Sequence, residues 1–174
     1  MAGTVLALLL SACAVPGRQD TSATPAVDAP GTPTSDVLDG DWSTGSVSID
    51  EIRTAMLSAG PEPDAVEGWI EEQGSPAEFT FELRFDSPTF AHYEANPNMA
   101  MQLGETGTYE FDGDQMRLSI AGEGDVYVFD VTLASQTLSL DLVDMTERGT
   151  SENLATHRLY TVAFYASAPF ARQP

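Results

Sequence analysis

The strongest constraint on the fold is an alternation of apolar and polar side chains that recurs between about residues 78 and 145. In residues 78–86, three phenylalanines and a leucine, at positions 79, 81, 85 and 83, alternate with polar neighbours. This period of two is typical of a strand that is buried on one face. Similar strands are predicted at residues 106–111, 116–120, 126–133 and 137–143. The sequence therefore predicts a mainly β fold.

Tight turns separate these strands. Asp112-Gly113-Asp114 lies between two alternating runs, and Asp-Gly in that place is a strong hairpin signal because the turn requires positive φ angles. Gly122-Glu123-Gly124 and Ala134-Ser135-Gln136 predict the next two turns. Short strands joined in this way predict an antiparallel meander of about seven or eight strands, as in a barrel or a sandwich.

Two short helices are predicted after an opening strand near Trp42 and before the first long strand. The first begins with a capping box, Ser48 to Glu51, and ends at the stop signal Gly60-Pro61. Its apolar stripe is Ile52, Met56 and Leu57. The second, residues 65–72, carries Val66, Trp69 and Ile70 on one stripe and ends at Gly74.

The last segment, residues 154–165, has two possible periodicities. Its apolar residues fit a helical stripe, but Tyr160, Val162 and Phe164 also alternate as in a strand. We favour a C-terminal helix.

An apolar run near the start ends at the only cysteine of the chain. Leu10-Ser11-Ala12-Cys13 resembles a bacterial lipobox, whose cysteine is acylated and becomes the first residue of the mature protein. The resemblance implies a lipoprotein signal over residues 1–13 and a location outside the cytoplasmic membrane, anchored to its outer face through Cys13. A secretory signal begins with a positively charged region, whereas residues 1–4 carry only the terminal amine. A start further upstream and a simple apolar terminus both stay open.

The next segment, residues 14–36, consists mainly of Pro, Ala, Ser, Thr and Gly. Such a composition cannot bury enough apolar surface to offset its ordering entropy, so it predicts a disordered spacer. Residues 37–174 then form one predicted domain with room for one core.

The charge of the chain limits its partners. Asp and Glu number 27 against 7 basic residues, for a net charge of −20, and every basic residue is an arginine. Nucleic-acid binding requires cationic contacts to phosphates, so nucleic acid is excluded as a partner. Docking onto anionic lipid is excluded for the same reason, and membrane contact is expected through the lipid anchor alone.

Three short motifs together resemble calycins, the superfamily of lipocalins and fatty-acid-binding proteins, as found in uncharacterised secreted bacterial domains. They are Gly40-Asp41-Trp42, the hairpin from Thr108 to Asp114, and the Ala-Pro-Phe-Ala-Arg sequence that ends at Arg172. The resemblance implies a small antiparallel barrel, with a helical insertion after the first strand like the lid of fatty-acid-binding proteins. It also implies that Arg172 lies over the Trp42 ring in a cation–π contact worth about 0.5–2 kcal/mol. The resemblance covers residues 38–172, although about seven strands are evident where calycins have eight or ten.

No catalytic or metal motif is evident in the sequence. His92 and His157, the only histidines, lie in different segments without zinc-ligand spacing. No Gly-x-Ser-x-Gly elbow is present, and lipidation would consume the only cysteine. We therefore predict a noncatalytic protein without a metal or a cofactor.

The candidate ligand-binding residues are apolar side chains that a lid or a barrel mouth would provide. Residues 96–103 are predicted as a loop that carries two flexible methionines, which suit an adaptable apolar contact. The alternative is that the same side chains pack onto a filled core. The candidates are Met56, Val66, Trp69, Ile70, Met99 and Met101.

Two functions follow from these observations. The first is a membrane-tethered envelope lipoprotein that binds a small apolar or amphipathic molecule inside a calycin-like barrel. The alternative is a barrel with a filled core that serves as a structural module or docks another envelope protein, without a small ligand. A small barrel can be filled or can hold one small ligand, so both stay open.

Overall fold

Eight antiparallel strands close into a barrel, in which each strand pairs with the next in sequence and the last pairs with the first. The computed structural model describes residues 37–146 and 154–174. The predicted lipobox with Cys13 and the predicted spacer lie outside the described residues. The elements are β1 (Gly40–Ser48), α1 (Ile49–Ser58), α2 (Pro63–Glu72), β2 (Glu78–Asp86), β3 (Thr89–Asn96), β4 (Met99–Asp112), β5 (Gln115–Ile120), β6 (Val126–Ala134), β7 (Thr137–Thr146), α3 (Leu154–Thr161), a π-helical segment (Val162–Ala166, hereafter the π segment) and β8 (Phe170–Arg172).

The predicted fold class is confirmed: the chain is mainly β, with two short helices between β1 and β2 and a helix near the C-terminus. The alternating side chains of β2 face the interior, where Phe79, Phe81, Leu83 and Phe85 are at most 3% exposed. The Asp-Gly turn joins β4 to β5, with Gly113 at a φ of 70°. A left-handed residue at this point is what the hairpin prediction required.

Capping decides where α1 begins. The Ser48 hydroxyl accepts a hydrogen bond from the Glu51 N–H at 3.3 Å, and Glu51 Oε2 accepts one from the Ser48 N–H at 2.8 Å. This reciprocal pair is the predicted capping box. It turns the chain out of β1 and directly into the helix.

The sequence-based prediction missed β3, β8 and the first part of β4. The inner face of β3 carries Phe90 and the buried polar His92, so its inward residues do not form an apolar row. Residues 96–103 are not the predicted loop, because β4 begins at Met99. There the exposed side chains of Met101 and Leu103 are the apolar ones, which reverses the usual pattern. A three-residue strand such as β8 is too short for a periodic signal.

The C-terminal segment is helical, as favoured above, but it changes geometry along its length. α3 gives way to the π segment, which packs against α1 and β7, while α2 packs against α3. These elements join the barrel in one hydrophobic core. Its largest fully buried side chains are Trp42, Phe79, Phe81, Phe129, Tyr165 and Phe170.

Candidate functional site

The calycin-like pair of the sequence analysis lies in contact. Trp42 and Arg172 are opposite each other on β1 and β8, and the Arg172 Cζ atom is 5.2 Å from the centroid of the Trp42 ring. Trp42 is fully buried, and its Nε1–H donates a hydrogen bond of 2.7 Å to the Leu38 carbonyl. Arg172 also donates a hydrogen bond to the Asp39 carbonyl. These contacts join the two ends of the barrel sheet.

The candidate residues on the two helices are part of the core. Met56, Val66, Trp69 and Ile70 are at most 4% exposed. Trp69 contacts Phe79 of β2, with ring centroids 6.2 Å apart, and meets Tyr160 of α3 edge-on at 5.7 Å. The helical insertion therefore packs as a plug between the barrel and the C-terminal helix.

Met99 and Met101 lie at the start of β4, where Met101 is 39% exposed. None of the six predicted ligand-binding residues lines the cavity described next. The structure places the two methionines on a strand and the four helical residues in the core.

A cavity of about 310 Å³ lies between β3, β4 and the C-terminal helical elements. We call it the His92 cavity. It is lined by His92, Gly104, Glu105, Glu123, Tyr127, His157, Tyr160, Thr161, Phe164 and Tyr165. A larger groove of about 640 Å³ surrounds Phe90 and Gly107. All of its lining residues are described, and none carries a buried side-chain nitrogen or oxygen without a partner.

A β-bulge builds one wall of the His92 cavity. His92 pairs with Glu105, whereas Tyr93 pairs with Leu103, so Gly104 is the extra residue of β4. A Cβ atom at position 104 would lie 3.1 Å from His92 Nδ1. Glycine is therefore the residue that lets the bulge approach the imidazole ring closely. Bulges of this kind commonly redirect a side chain next to a functional site.

The π segment builds the opposite wall. The consecutive residues Phe164 and Tyr165 both contact the His92 ring, with centroid distances of 5.4 Å and 4.7 Å. Phe81 stacks on the same ring at 6.0 Å. Isolated π-helical turns are rare and occur frequently at functional sites. Here the turn brings two neighbouring aromatic side chains to one imidazole.

His92 is the most unusual group of the site. It is fully buried, and neither ring nitrogen has a hydrogen-bond partner within the described residues. Burial lowers the pKa of His92 to about 3, so the imidazole is neutral at neutral pH. A neutral imidazole has one N–H donor and one acceptor nitrogen. Neither nitrogen is paired within the described residues, and the residue lines the cavity.

Glu105 lies beside His92 and is held by two tyrosines. The Tyr165 hydroxyl donates to Glu105 Oε2 at 2.6 Å, and the Tyr127 hydroxyl donates to Oε1 at 3.2 Å. Burial raises the pKa of Glu105, while these hydrogen bonds act in the opposite direction. Burial and the neighbouring Glu105 carboxylate raise the pKa values of both tyrosines. The tyrosines therefore stay protonated and act as donors.

The rim of the cavity is acidic. Glu123 lies on it, and the buried Asp125 is 3.8 Å from His157 Nδ1. Burial raises the pKa of Glu94, on β3, and the charge of Glu105 adds to that effect. Acidic groups thus line the cavity from β4 and from the turn before β6.

No protein-family model, curated protein or solved structure matches this chain. The calycin-like resemblance stays a prediction that rests on the three short motifs and on the Trp42–Arg172 contact. Within the described residues, no helix is long and apolar enough to span a membrane. In the same part of the chain, no three His, Cys, Asp or Glu side chains form a group suited to a metal ion.

The site therefore consists of one neutral imidazole, one carboxylate held by two phenols, and aromatic walls. The sequence analysis missed it because a period-two pattern selects apolar residues, whereas His92 and Glu105 are polar residues on the inner face. One signal in the sequence was available. Gly104 lies just before the strand predicted from residue 106, and in a longer strand an isolated glycine would have suggested a bulge or a close backbone approach.

Proposed function

We propose that this protein is a noncatalytic binding protein whose small-molecule ligand occupies the His92 cavity. The observation that carries the proposal is the fully buried imidazole with two unpartnered nitrogens at the cavity wall. Buried polar groups in proteins are nearly always hydrogen-bonded. A ligand in the cavity would supply the missing partners.

Several features support binding over catalysis. An imidazole whose pKa is about 3 is a weak proton acceptor near neutral pH, where a general base is most effective with a pKa close to the ambient pH. Both oxygens of Glu105 already accept hydrogen bonds from tyrosines. The lining side chains are therefore suited to binding a small molecule and not to catalysing its reaction.

We propose the same cellular location as the sequence implies, but a different ligand site. We propose that the barrel is calycin-like and is tethered through Cys13 to the outer face of the cell membrane, as the lipobox resemblance implies. The proposed ligand site lies against the C-terminal helix and not under α1 and α2, because those two helices pack onto the core. An amphipathic ligand suits a wall that combines aromatic rings with a carboxylate.

A second function is favoured by a different observation. Much of the barrel interior is filled with aromatic side chains, and Met101 and Leu103 are 39% and 54% exposed on β4. Two apolar side chains two residues apart on one strand share a face. This arrangement supports the alternative of a structural or protein-docking module of the cell envelope without a small ligand.

The test is to purify the full chain from a bacterial host, extract it with organic solvent, and analyse the extract by mass spectrometry. The proposal predicts a small molecule in near-stoichiometric amount, and its absence from a His92→Phe protein prepared in parallel. Phenylalanine keeps the ring stacking and removes both nitrogens. Equal extracts from the two proteins, together with no chemical-shift change of His92 on adding host metabolites, would favour the docking module.

A further inference from the structure

We propose that the ligand of the His92 cavity is a small organic amine, bound as its ammonium ion with an apolar body against the aromatic wall. This inference rests on the proposed function, since it names the chemical class of the ligand for that site. It is carried by the acceptors, the ring faces and the charge of the lining.

The acceptors converge from two neighbouring strands. His92 on β3 and Glu105 on β4 are cross-strand partners, and such partners have Cβ atoms about 5 Å apart on one face of a sheet. The neutral imidazole has one acceptor nitrogen, and the carboxylate has further lone pairs besides those that the tyrosines use. An ammonium group has three N–H donors and no acceptor, so it can pair with both.

The aromatic wall suits a cation as well. Tyr160, Phe164 and Tyr165 line the same cavity, and a cation over an aromatic face is attracted by the ring quadrupole. Rings together with a carboxylate are the usual environment of a bound ammonium ion. The same rings provide an apolar surface for the body of the ligand.

The charge of the lining disfavours the opposite class of ligand. Among the described residues that line the cavity, Glu105 and Glu123 are acidic and none is an arginine, and His157 faces the carboxylate of Asp125. The whole chain carries a net charge of −20. A carboxylate or phosphate ligand would therefore enter a negative potential without a cationic partner, which is costly for a buried charge. Fatty-acid anions are thus the amphipathic ligands that this cavity fits worst.

The volume limits the size of the amine. A cavity of about 310 Å³ lies at the lower end of the range of about 300–1,000 Å³ found for small-molecule pockets. This volume suits an amine with one ring or one short chain. It excludes a lipid with two acyl chains.

The experiment compares three probes that share one body: phenethylamine, phenethyl alcohol and hydrocinnamate. Each is titrated into the full chain while NMR follows the ring resonances of His92. We expect phenethylamine to bind at least about tenfold more tightly than the alcohol, a difference that one charge-assisted hydrogen bond can supply. Hydrocinnamate should bind most weakly of the three.

Two variants and a matched control test whether phenethylamine binds at Glu105 and His92. Glu105→Gln keeps the shape of the side chain and removes its charge, so it should weaken phenethylamine binding about tenfold and leave the affinity for the alcohol unchanged. Glu110→Gln is the control, because Glu110 is 73% exposed on the same strand. His92→Phe should abolish the amine preference while the ring stacking that supports the fold remains.

The outcomes separate this inference from the function on which it rests. Equal or tighter binding of hydrocinnamate or the alcohol at His92 would overturn the ammonium inference and leave small-molecule binding standing. If none of the three probes shifts the His92 resonances, both proposals are overturned and water alone satisfies the imidazole. The third outcome is that Glu105→Gln and Glu110→Gln weaken amine binding equally. Binding would then reflect nonspecific attraction to an acidic surface, and this result would also overturn the inference.

Discussion

The Tyr165 hydroxyl donates a hydrogen bond of 2.6 Å to Glu105 Oε2, which joins the π segment to β4 across 60 residues of sequence. Tyr165 is fully buried, and its ring also contacts His92 and Phe129. One side chain therefore stabilises the carboxylate of the cavity and packs against the imidazole beside it. The C-terminal segment is part of the site as well as part of the core.

Removal of this hydroxyl should destabilise the fold measurably. In Tyr165→Phe, the half-buried Glu105 loses the shorter of its two hydrogen bonds, and a hydrogen bond to a charged group contributes about 1.5–3 kcal/mol. We expect a loss of that size in the free energy of unfolding, measured by urea denaturation. Tyr93→Phe is the control, because Tyr93 lies under Arg84 on the outer face of β3, and it should change stability by less than about 0.5 kcal/mol. Equal losses in the two variants would contradict a special role for the Tyr165 hydroxyl.

Stability should fall as the pH is lowered below about 6.5, because of His92. The pKa of its imidazole is about 3 in the folded protein, against an ordinary value of 6.5. The unfolded chain therefore binds a proton between these values and the folded chain does not, so the stabilisation present above pH 6.5 is lost as the pH falls towards 3. The slope that one such group contributes approaches about 1.4 kcal/mol per pH unit.

Urea denaturation of the wild type and a His92 variant between pH 7 and pH 5 tests this effect. Glu105 and Glu94 act with the opposite sign, because their pKa values are raised in the folded protein and their ionisation as the pH rises costs stability. His92→Phe should therefore remove the loss on acidification. An unchanged slope in His92→Phe would show that the buried imidazole is not its source.

A double-mutant cycle measures the contact that joins the ends of the barrel. We expect Trp42→Leu and Arg172→Leu to be non-additive, with a coupling energy of about 0.5–2 kcal/mol from the cation–π contact. Arg84 over Tyr93, at 4.7 Å, is the matched comparison on an exposed surface, where the coupling should be at the lower end of that range. Full additivity of the Trp42 and Arg172 losses would mean that the two residues do not interact.

Much of the barrel could be predicted from the sequence where local chemistry and burial agree. The inner row of β2, the Asp-Gly turn at Gly113 and the capping box of α1 are each encoded within a few neighbouring residues. The same reasoning failed at β3 and at the start of β4. There the inner face carries His92 and Glu105, while the exposed face carries Met101 and Leu103.

The candidate site was not predictable for the same physical reason. Period-two and helical patterns identify side chains that avoid water, and they assigned Met56, Val66, Trp69 and Ile70 to a lid. Those residues avoid water by packing into the core. The cavity instead depends on contacts distant in sequence, between β3, β4 and the π segment, and on one bulge at Gly104. None of these contacts leaves a periodic signal.

The close approach of β4 to β5 makes Gly107 intolerant of substitution. A Cβ atom at position 107 would lie 2.0 Å from the Ser119 carbonyl oxygen and 2.9 Å from the Phe90 ring. A backbone atom cannot move aside as a flexible side chain can, so Gly107→Ala must separate the two strands. Overpacking typically costs about 1–3 kcal/mol, and we expect a loss at the upper end of that range or above it.

The same substitution at Gly68 provides the control for this prediction. Gly68 lies inside α2, and nothing lies within 4 Å of the Cβ atom that alanine would add there. Alanine is favoured over glycine within a helix by about 0.5–1 kcal/mol, so Gly68→Ala should stabilise the protein by about that amount. Thermal or urea denaturation of the two variants should therefore give changes of opposite sign. A Gly107→Ala protein as stable as the wild type would mean that β4 and β5 do not approach as closely as Gly107 and Ser119 do in this structure.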